Sequence, residues 1–394
     1  MQCSKVTGNI VYILTVLVVQ LTGFSTSYSI SSVQSNKPVI RFNADGTLKI
    51  VNFSDLHYGE APHTDWGPAA DIKSANVTKN ILEMEHPDFV IFTGDLLTAE
   101  EMFPNATDYM AKLVAPLVDK NYRWASTYGN HDIGENMTRL ELLEAEQKFE
   151  QSYTFQMNAS LPGVTNYYLL IYPANTDEPV MIWWFFDSQG GRTDDGTTGK
   201  GQQPEHIDPA VVAWFKDEQT VLKKQWGQLP SLVFFHIPPV EFVSIQEHIE
   251  SNPLCAGLMD DNVTPQDNNT GIMQALSEAG GVQAIFVGHN HGNSWCCFYK
   301  QIQVCYNRHT GYGGYGSWTR GGRVVSLQID SLTEIRSYIR QEDGQIVDKF
   351  PKTSPSNSPK MYQRNQFVKN ATAIMLVSMI GERFLNYSRF SYMN

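Results

Sequence analysis

The chain has 394 residues, 42% of them hydrophobic and 18% charged, which allows one large globular domain or two ordinary ones. Its formal net charge is −12 and it has no run of basic residues. Because nucleic-acid binding normally needs clustered lysine and arginine, a nucleic-acid partner is not expected. Acidity alone indicates solubility and identifies no partner.

Residues 1–27 have the pattern of a cleaved signal peptide. Lys5 precedes an apolar run from about Ile10 to Leu21, and small residues follow. The run is short for a membrane span, so we expect no stable span after cleavage. An uncleaved signal anchor is the alternative. The expected location is outside the cell or in the endomembrane lumen, such as the vacuole or endoplasmic reticulum.

N-x-S/T sequons agree with export and together predict a glycoprotein, although a single sequon indicates little. Asn52 begins a sequon inside a predicted buried strand, where we expect no glycan. The other sequons begin at Asn76, Asn105, Asn136, Asn158, Asn262, Asn268, Asn370 and Asn386.

From residue 38 to residue 349, the predicted domain, short apolar runs alternate with helix-like segments. This alternation predicts an α/β architecture with buried sheets. The helix-like segments are 68–85, 108–120, 139–151 and 208–225. The apolar runs, each with a polar end, are 48–57, 88–95, 122–132, 231–239 and 283–291.

In such sheets, ligands collect beyond the carboxyl ends of the strands. We therefore expect the polar ends of these five runs to face one place. A sixth run, 180–188, ends in Asp187, but Asp-Ser after a strand is typical of turns. Asp187 is therefore left out of the predicted site.

The residue types at the five ends suit a pair of metal ions. Asp55 and His57 lie two apart on an extended segment, so their side chains point to the same side. His289 and His291 repeat this spacing. Two cations about 3.5–4 Å apart need a shared carboxylate, and Asp95 is the natural candidate. Each fragment alone fits a turn or a core histidine; only the ordered set favours a metal centre.

The ordered set reads D-x-H, G-D, G-N-H-D, H and G-H-x-H, from Asp55 to His291. It resembles the calcineurin-like metallophosphoesterase family, and the surrounding sequence is similar to a small-enzyme branch related to plant purple acid phosphatases and fungal phosphatases. The resemblance implies a four-layer αββα sandwich, with two mixed sheets flanked by helices and the site at one edge.

The resemblance also implies roles for individual residues. His131 would protonate the leaving-group oxygen while Asp132 orients its ring, and a metal-bound hydroxide would attack phosphorus. The first of two divalent or trivalent ions would be held by Asp55, His57, Asp95 and His291, and the second by Asp95, Asn130, His236 and His289.

The sequence departs from purple acid phosphatases proper at two positions. His57 replaces a glycine of their first motif, and Thr98 stands in place of the tyrosine whose bond to ferric iron gives their colour. We therefore predict a colourless protein. Mixed nitrogen and oxygen ligands suit iron, zinc or manganese, and ligand type does not choose among them.

Two more features lie at or near the last motif. Arg308, in "CYNRHTGYGGYG", could bind a substrate phosphate, and an ordinary surface arginine is the alternative. Without Cys3 of the leader, four cysteines remain, which allow three disulfide pairings in an exported protein. The related branch favours Cys296–Cys305, with Cys255–Cys297 as the second bridge.

Residues 350–394 read as a Ser/Pro linker and a C-terminal tail, whose apolar stretch at 371–380 is too short to span a bilayer. The predicted function of the chain is hydrolysis of phosphate monoesters, from phosphoproteins or small esters. A phosphodiesterase acting on nucleotides or lipid head groups is an alternative. A metal-binding protein without turnover is another, although none of the ligands of the motif set is missing.

Overall fold

A computed structural model describes residues 37–101, 106–135, 137–193 and 201–352. The predicted signal peptide, nearly all of the predicted linker and tail, and the sequons at Asn105, Asn136, Asn370 and Asn386 lie outside these residues, so those predictions stay predictions. The α-helices within the described residues are α1 (Trp66–Glu85), α2 (Ala106–Val118), α3 (Arg139–Glu146), α4 (Pro209–Trp226), α5 (Glu241–Glu247) and α6 (Ile272–Ala279).

Thirteen β-strands of the described residues form two mixed sheets. The seven-stranded sheet has the order β1-β5-β6-β7-β8-β10-β9, and the six-stranded sheet has the order β13-β12-β11-β2-β3-β4. The strands are β1 (Ile40–Arg41), β2 (Thr47–Phe53), β3 (Phe89–Thr93), β4 (Trp124–Thr127), β5 (Tyr167–Tyr172), β6 (Met181–Phe185), β7 (Ser231–Phe234), β8 (Val282–Val287), β9 (Cys296–Tyr299), β10 (Ile302–Tyr306), β11 (Gly321–Gln328), β12 (Arg336–Gln341) and β13 (Ile346–Phe350).

The two sheets pack face to face, and helices cover their outer faces. In β2, Ile50 lies in the apolar layer between the sheets with Trp183 and Phe234, whereas Val51 packs on the opposite face with side chains of α1 and α2. This alternation follows from the pleat of a strand. Side chains of α4 and α6 cover the outer face of the seven-stranded sheet. The predicted four-layer αββα sandwich is therefore confirmed.

The helices begin where the sequence provides caps. Asp208 accepts a hydrogen bond from the backbone N–H of Ala210 (2.7 Å) ahead of α4, and Thr138 forms a capping box with Glu141 in α3. The predicted helix at 139–151 ends earlier, at Glu146. The buried Glu146 carboxylate accepts hydrogen bonds from side chains outside the helix, including that of Trp124.

The carboxyl ends of parallel strands from both sheets meet at one edge of the sandwich. β2, β3 and β4 are parallel neighbours in one sheet, and β6, β7 and β8 are parallel neighbours in the other. Gly94 follows β3 with φ of 81°, and a Cβ atom there would lie 2.5 Å from the ring of His236, which follows β7. Only glycine allows this approach.

Two disulfides lie in the seven-stranded sheet and the loop beside it. Cys296 and Cys305 are paired across the antiparallel strands β9 and β10, and Cys255 is bonded to Cys297. This is the pairing that the resemblance implied, and it is confirmed.

Candidate metal centre

Four predicted ligands have a left-handed backbone. The φ angles are 56° at Asp55, 49° at His57, 49° at Asp95 and 79° at His289. This conformation costs energy in residues other than glycine, and such strain concentrates at functional sites. The turns after β2, β3 and β8 therefore hold these side chains in place at a cost in local backbone energy.

Asp55, His57 and His291 form the first group of converging side chains. Each offers one ligand atom, and these atoms all lie within 4.8 Å of one another. His57 Nε2 is 3.2 Å from His291 Nε2, which is 3.7 Å from Asp55 Oδ1. All three residues are buried. Two ring nitrogens and a carboxylate oxygen thus face one another, an arrangement that a shared cation would stabilise.

Asp95, His236 and His289 form the second group, with ligand atoms again within 4.8 Å. Asp95 Oδ2 is 2.9 Å from His236 Nε2 and 3.7 Å from His57 Nε2, which belongs to the first group. The Asp95 carboxylate therefore lies between the two groups, where a bridging ligand has to be.

The Nδ1 atoms of two histidines are fixed by backbone carbonyl groups. His236 Nδ1 is 2.9 Å from the carbonyl oxygen of Thr93, and His291 Nδ1 is 2.9 Å from that of Tyr315. Because a carbonyl oxygen only accepts hydrogen bonds, Nδ1 carries the proton in both rings. A carbonyl partner at the second nitrogen is usual for metal-binding histidines, and it leaves Nε2 directed into the centre.

Burial and neighbouring charges set the protonation of the centre. Burial lowers the pKa of His57 well below its usual value and that of His289 to about 3, so both rings are neutral. Burial also lowers the pKa of His236, but the adjacent Asp95 carboxylate outweighs it and raises this pKa to about 9. The space between His236 and Asp95 therefore favours a positive charge, which a metal ion would supply.

Asn130 Oδ1, an atom of the ligand set predicted for the second ion, is buried and has no hydrogen-bond partner. An unpaired buried polar atom costs free energy, and a bound cation would remove that cost. The donors are imidazole nitrogens and carboxylate or amide oxygens, which suit zinc, manganese or iron. The residues present thus fit two metal ions.

His131 lies beside the first group, with its ring centroid 5.0 Å from that of His57. Its backbone N–H donates to Asp95 Oδ1 (2.8 Å), and its Nδ1 contacts the carboxylate of Glu100. Burial lowers the pKa of His131, but Asp95 and Glu100 outweigh burial and raise it to about 10. The ring is therefore protonated at neutral pH and can give up a proton next to the centre.

The family model described as "Calcineurin-like phosphoesterase" matches residues 48–293, a span that contains His131 and all seven predicted ligands. The chain belongs to the calcineurin-like phosphoesterase family. The motifs of this family therefore lie at the strand ends described above.

Relatives of this chain come from plants and yeast. "Probable inactive purple acid phosphatase 14" of Arabidopsis thaliana is 28% identical over 76% of this chain and 80% of that protein. "Probable inactive purple acid phosphatase 28" of the same plant is 26% identical over 74% and 77%. "Phosphatase DCR2" of Saccharomyces cerevisiae is 31% identical over 64% of this chain and 45% of that protein. These matches support the branch related to purple acid phosphatases. The names of the two plant proteins contain the word "inactive", so the matches do not decide whether this chain catalyses hydrolysis.

Asp132 does not form a hydrogen bond with the His131 ring. Its buried carboxylate accepts hydrogen bonds from the backbone N–H groups of Leu97 (2.9 Å) and Gly129 (2.8 Å). It therefore ties the turn after β3 to the turn after β4. The prediction that Asp132 orients His131 is wrong, because Glu100 occupies that place.

Arg308 is not a surface arginine, so that alternative prediction is wrong. Its side chain is buried, Nε donates to the carbonyl oxygen of Thr319 (2.8 Å), and one terminal nitrogen donates to Ser294 Oγ (3.1 Å). That it binds a substrate phosphate stays a prediction, which these contacts do not support. Arg308 fixes the segment that follows β10.

Thr98, at the position of the purple phosphatases' tyrosine, is buried beside the first group. Its Oγ1 lies 3.3 Å from His57 Nδ1. The hydroxyl group therefore contacts the far side of a ligand ring, and no phenol oxygen is present at this position.

Sequence reasoning missed Tyr315, which makes several contacts with His291. The two rings are stacked with centroids 4.0 Å apart, and the Tyr315 hydroxyl accepts a hydrogen bond from the His291 backbone N–H (3.1 Å) while contacting the Asp261 carboxylate. The buried His309, with a centroid 3.9 Å from that of His291, was also missed. The glycine-rich run "GYGGYG" was the available signal.

Gly314 shows why that run is rich in glycine. Its φ is 68°, and a Cβ atom there would lie 2.4 Å from His291 Cε1 and 2.8 Å from His57 Cδ2. The backbone of this loop therefore lies directly on two ligand rings, and a side chain would push them.

Two observations concern the predictions of export and glycosylation. Within the described ranges, no helix has the length and hydropathy of a membrane span. Asn52 is fully buried in β2, as predicted for a sequon without a glycan, whereas Asn76, Asn262 and Asn268 are exposed.

Proposed function

We propose that the protein hydrolyses phosphate monoesters at a centre of two metal ions. The strongest support is the pair of ligand groups on either side of Asp95, whose Oδ2 is 2.9 Å from His236 Nε2 and 3.7 Å from His57 Nε2. Bound ions would neutralise the phosphoryl oxygens and lower the pKa of a water molecule. We propose zinc, manganese or iron, because the donors are nitrogen and oxygen atoms.

The proposed ligands are the seven residues predicted from the sequence motifs. Asn130 supplies the amide oxygen of the second set, and Asp95 is common to both sets. The first ion would bind Asp55, His57, Asp95 and His291, and the second would bind Asp95, Asn130, His236 and His289.

His131 is the proposed general acid. Glu100 contacts its Nδ1, which leaves the Nε2 proton for the leaving-group oxygen. As the P–O ester bond breaks, an oxygen from water forms the new bond to phosphorus, and the proton from His131 converts the leaving oxygen to an alcohol. The products are inorganic phosphate and the alcohol.

A metal-binding protein without turnover is the second candidate. The names of the two plant relatives favour it, since both contain the words "probable inactive". The converging ligands and the position of His131 beside the first group favour catalysis, because a protein that only binds metal needs no acid beside the centre.

The test is hydrolysis of p-nitrophenyl phosphate and bis-p-nitrophenyl phosphate after loading with zinc, manganese or iron. We expect the monoester to be the better substrate. His131→Ala should lower kcat by about 10²–10⁴-fold on an alkyl monoester such as phosphoserine, whose leaving oxygen needs a proton, and less on p-nitrophenyl phosphate, whose phenolate leaves without one. His248→Ala, at an exposed histidine after α5, is the control. Faster hydrolysis of the diester would favour the phosphodiesterase, and no hydrolysis with any metal would favour the non-catalytic protein.

We also propose that the protein is exported and glycosylated, as a secreted or endomembrane-lumen protein. The two disulfides and the exposed sequon at Asn262 support this, because disulfides persist in oxidising compartments. Treatment of the protein from its natural source with an N-glycosidase should increase its gel mobility. Unchanged mobility would contradict the proposal.

A further inference from the structure

Three carboxylates, those of Glu60, Glu100 and Glu101, lie close together beside His131; we call them the carboxylate arc. Glu100 contacts the His131 ring. Burial raises the pKa of Glu60, and the charges of Glu101 and Glu100 raise it further, while His131 opposes them. Glu60 is therefore close enough to the other two carboxylates and to His131 for their charges to interact.

Backbone contacts tie two members of the arc to segments beside the metal centre. Glu60 Oε2 accepts a hydrogen bond from the N–H of Gly314 (2.6 Å), the residue that lies on the rings of His57 and His291. Glu101 Oε2 accepts one from the N–H of Ala61 (2.6 Å), next to Glu60 in the chain. Glu60 is thus linked to the loop on the ligand rings, Glu101 to the segment next to Glu60, and Glu100 to His131.

No lysine or arginine of the described ranges forms an ion pair with a member of the arc. Arginines near the centre bind elsewhere: Arg139 donates to the carbonyl oxygens of Gly129 and Gly190, and Arg320 donates to those of Trp318 and Gly316. The negative charge of the arc is therefore compensated by His131 alone within these ranges.

The opposite side of His291 carries charge of the same sign. Tyr315, an exposed residue, contacts the Asp261 carboxylate, and Trp318 Nε1 donates to Asp260 Oδ2 (2.7 Å). The Tyr315 and Trp318 rings meet edge to face with centroids 6.1 Å apart. Aromatic faces beside carboxylates attract cations.

We propose that the site takes phosphate monoesters whose leaving group carries a positive charge. The proposal rests on the proposed function: because His131 protonates the leaving oxygen, the leaving group lies beside the carboxylate arc. The phosphate itself would be held by the ions of the centre, where Asn130 Oδ1 is buried without a hydrogen-bond partner. Amino-alcohol phosphates and phosphoserine in a basic peptide share this chemistry.

Phosphocholine and its uncharged isostere 3,3-dimethylbutyl phosphate, which differ only in the charged nitrogen, test the proposal. Each carboxylate should favour the cation by about threefold, for unit charges roughly 7 Å apart at the dielectric constant of water. We expect kcat/KM to be at least tenfold higher for phosphocholine at low salt, and the ratio to shrink as salt screens the charges. The same comparison is made with two peptides, one whose phosphoserine is flanked by arginine and one whose phosphoserine is flanked by glutamine. The arginine peptide should have the higher kcat/KM.

Charge-neutral variants locate the effect. Glu60→Gln and Glu101→Gln should each lower the phosphocholine-to-isostere ratio about threefold. Glu178→Gln removes an exposed carboxylate in the β5–β6 turn, at the far end of the sheet, and should leave the ratio unchanged. Equal kcat/KM for both esters, or a ratio that Glu60→Gln does not change, would overturn this inference alone. No hydrolysis of either ester with any metal would overturn the proposed function as well.

Discussion

Gly314→Ala tests whether the glycine-rich loop holds the metal ligands. The new methyl group would lie 2.4 Å from His291 Cε1 and 2.8 Å from His57 Cδ2, well inside van der Waals contact, so both rings must move. Displaced ligand rings typically weaken metal binding by about 10–100-fold. The φ of 68° adds about 1–2 kcal/mol of backbone strain in the folded protein.

Gly271→Ala is the matched control. Gly271 precedes α6 in the left-handed region with φ of 81°, but a Cβ atom there meets nothing within 4 Å. Both variants should therefore lose about 1–2 kcal/mol in the free energy of unfolding from backbone strain. Only Gly314→Ala should bind metal more weakly. Thermal unfolding measures the first effect, and competition with a chelating indicator measures the second. Equal metal affinity in the two variants would refute the placement of the loop.

Three further results are expected. The iron-loaded protein should show no visible charge-transfer band, because Thr98 replaces the tyrosine; a purple solution would contradict this. Replacing Cys255 and Cys297 by serine should lower the free energy of unfolding, measured in guanidinium chloride, by about 4 kcal/mol, because the bond closes a 42-residue loop. Burial raises the pKa of Glu85, but hydrogen bonds with Tyr338 and Arg340 outweigh it and lower this pKa below its usual value. The ionised Glu85 carboxylate therefore stabilises the folded protein fully above the pKa that Glu85 has in the unfolded chain. This stabilisation is lost as the pH falls through the lower pKa of the folded protein, so Glu85→Gln should make the free energy of unfolding less dependent on pH in acid.

The metal ligands could be predicted from the sequence because aspartate, asparagine and histidine are the residue types that bind such metal ions. Asp55, His57 and His291 each follow an apolar run, and parallel strands bring such ends to one edge. The sandwich was implied by the same ordered motifs through the family resemblance, and helix starts such as Asp208 before α4 carry recognisable caps.

The errors concern contacts that residue types do not specify. Asp132 was expected at His131 because it is adjacent in the chain, but adjacent residues point in different directions, and its carboxylate caps backbone N–H groups. Glu100 contacts the His131 ring because the segment after β3 lies beside His131, where the N–H of Ala99 donates to the His131 carbonyl oxygen. Tyr315 holds His291 partly through a backbone carbonyl, which any residue has. Such contacts follow from tertiary packing rather than from sequence pattern.

The most direct test of the central claim is the metal content of the loaded protein, measured by elemental analysis after removal of free ions. Two ligand groups that meet at Asp95 predict two ions per chain. They also predict about one ion per chain after His236→Ala, which removes a ligand of the second group only. No bound metal, or a single ion that His236→Ala leaves in place, would contradict the two-metal centre.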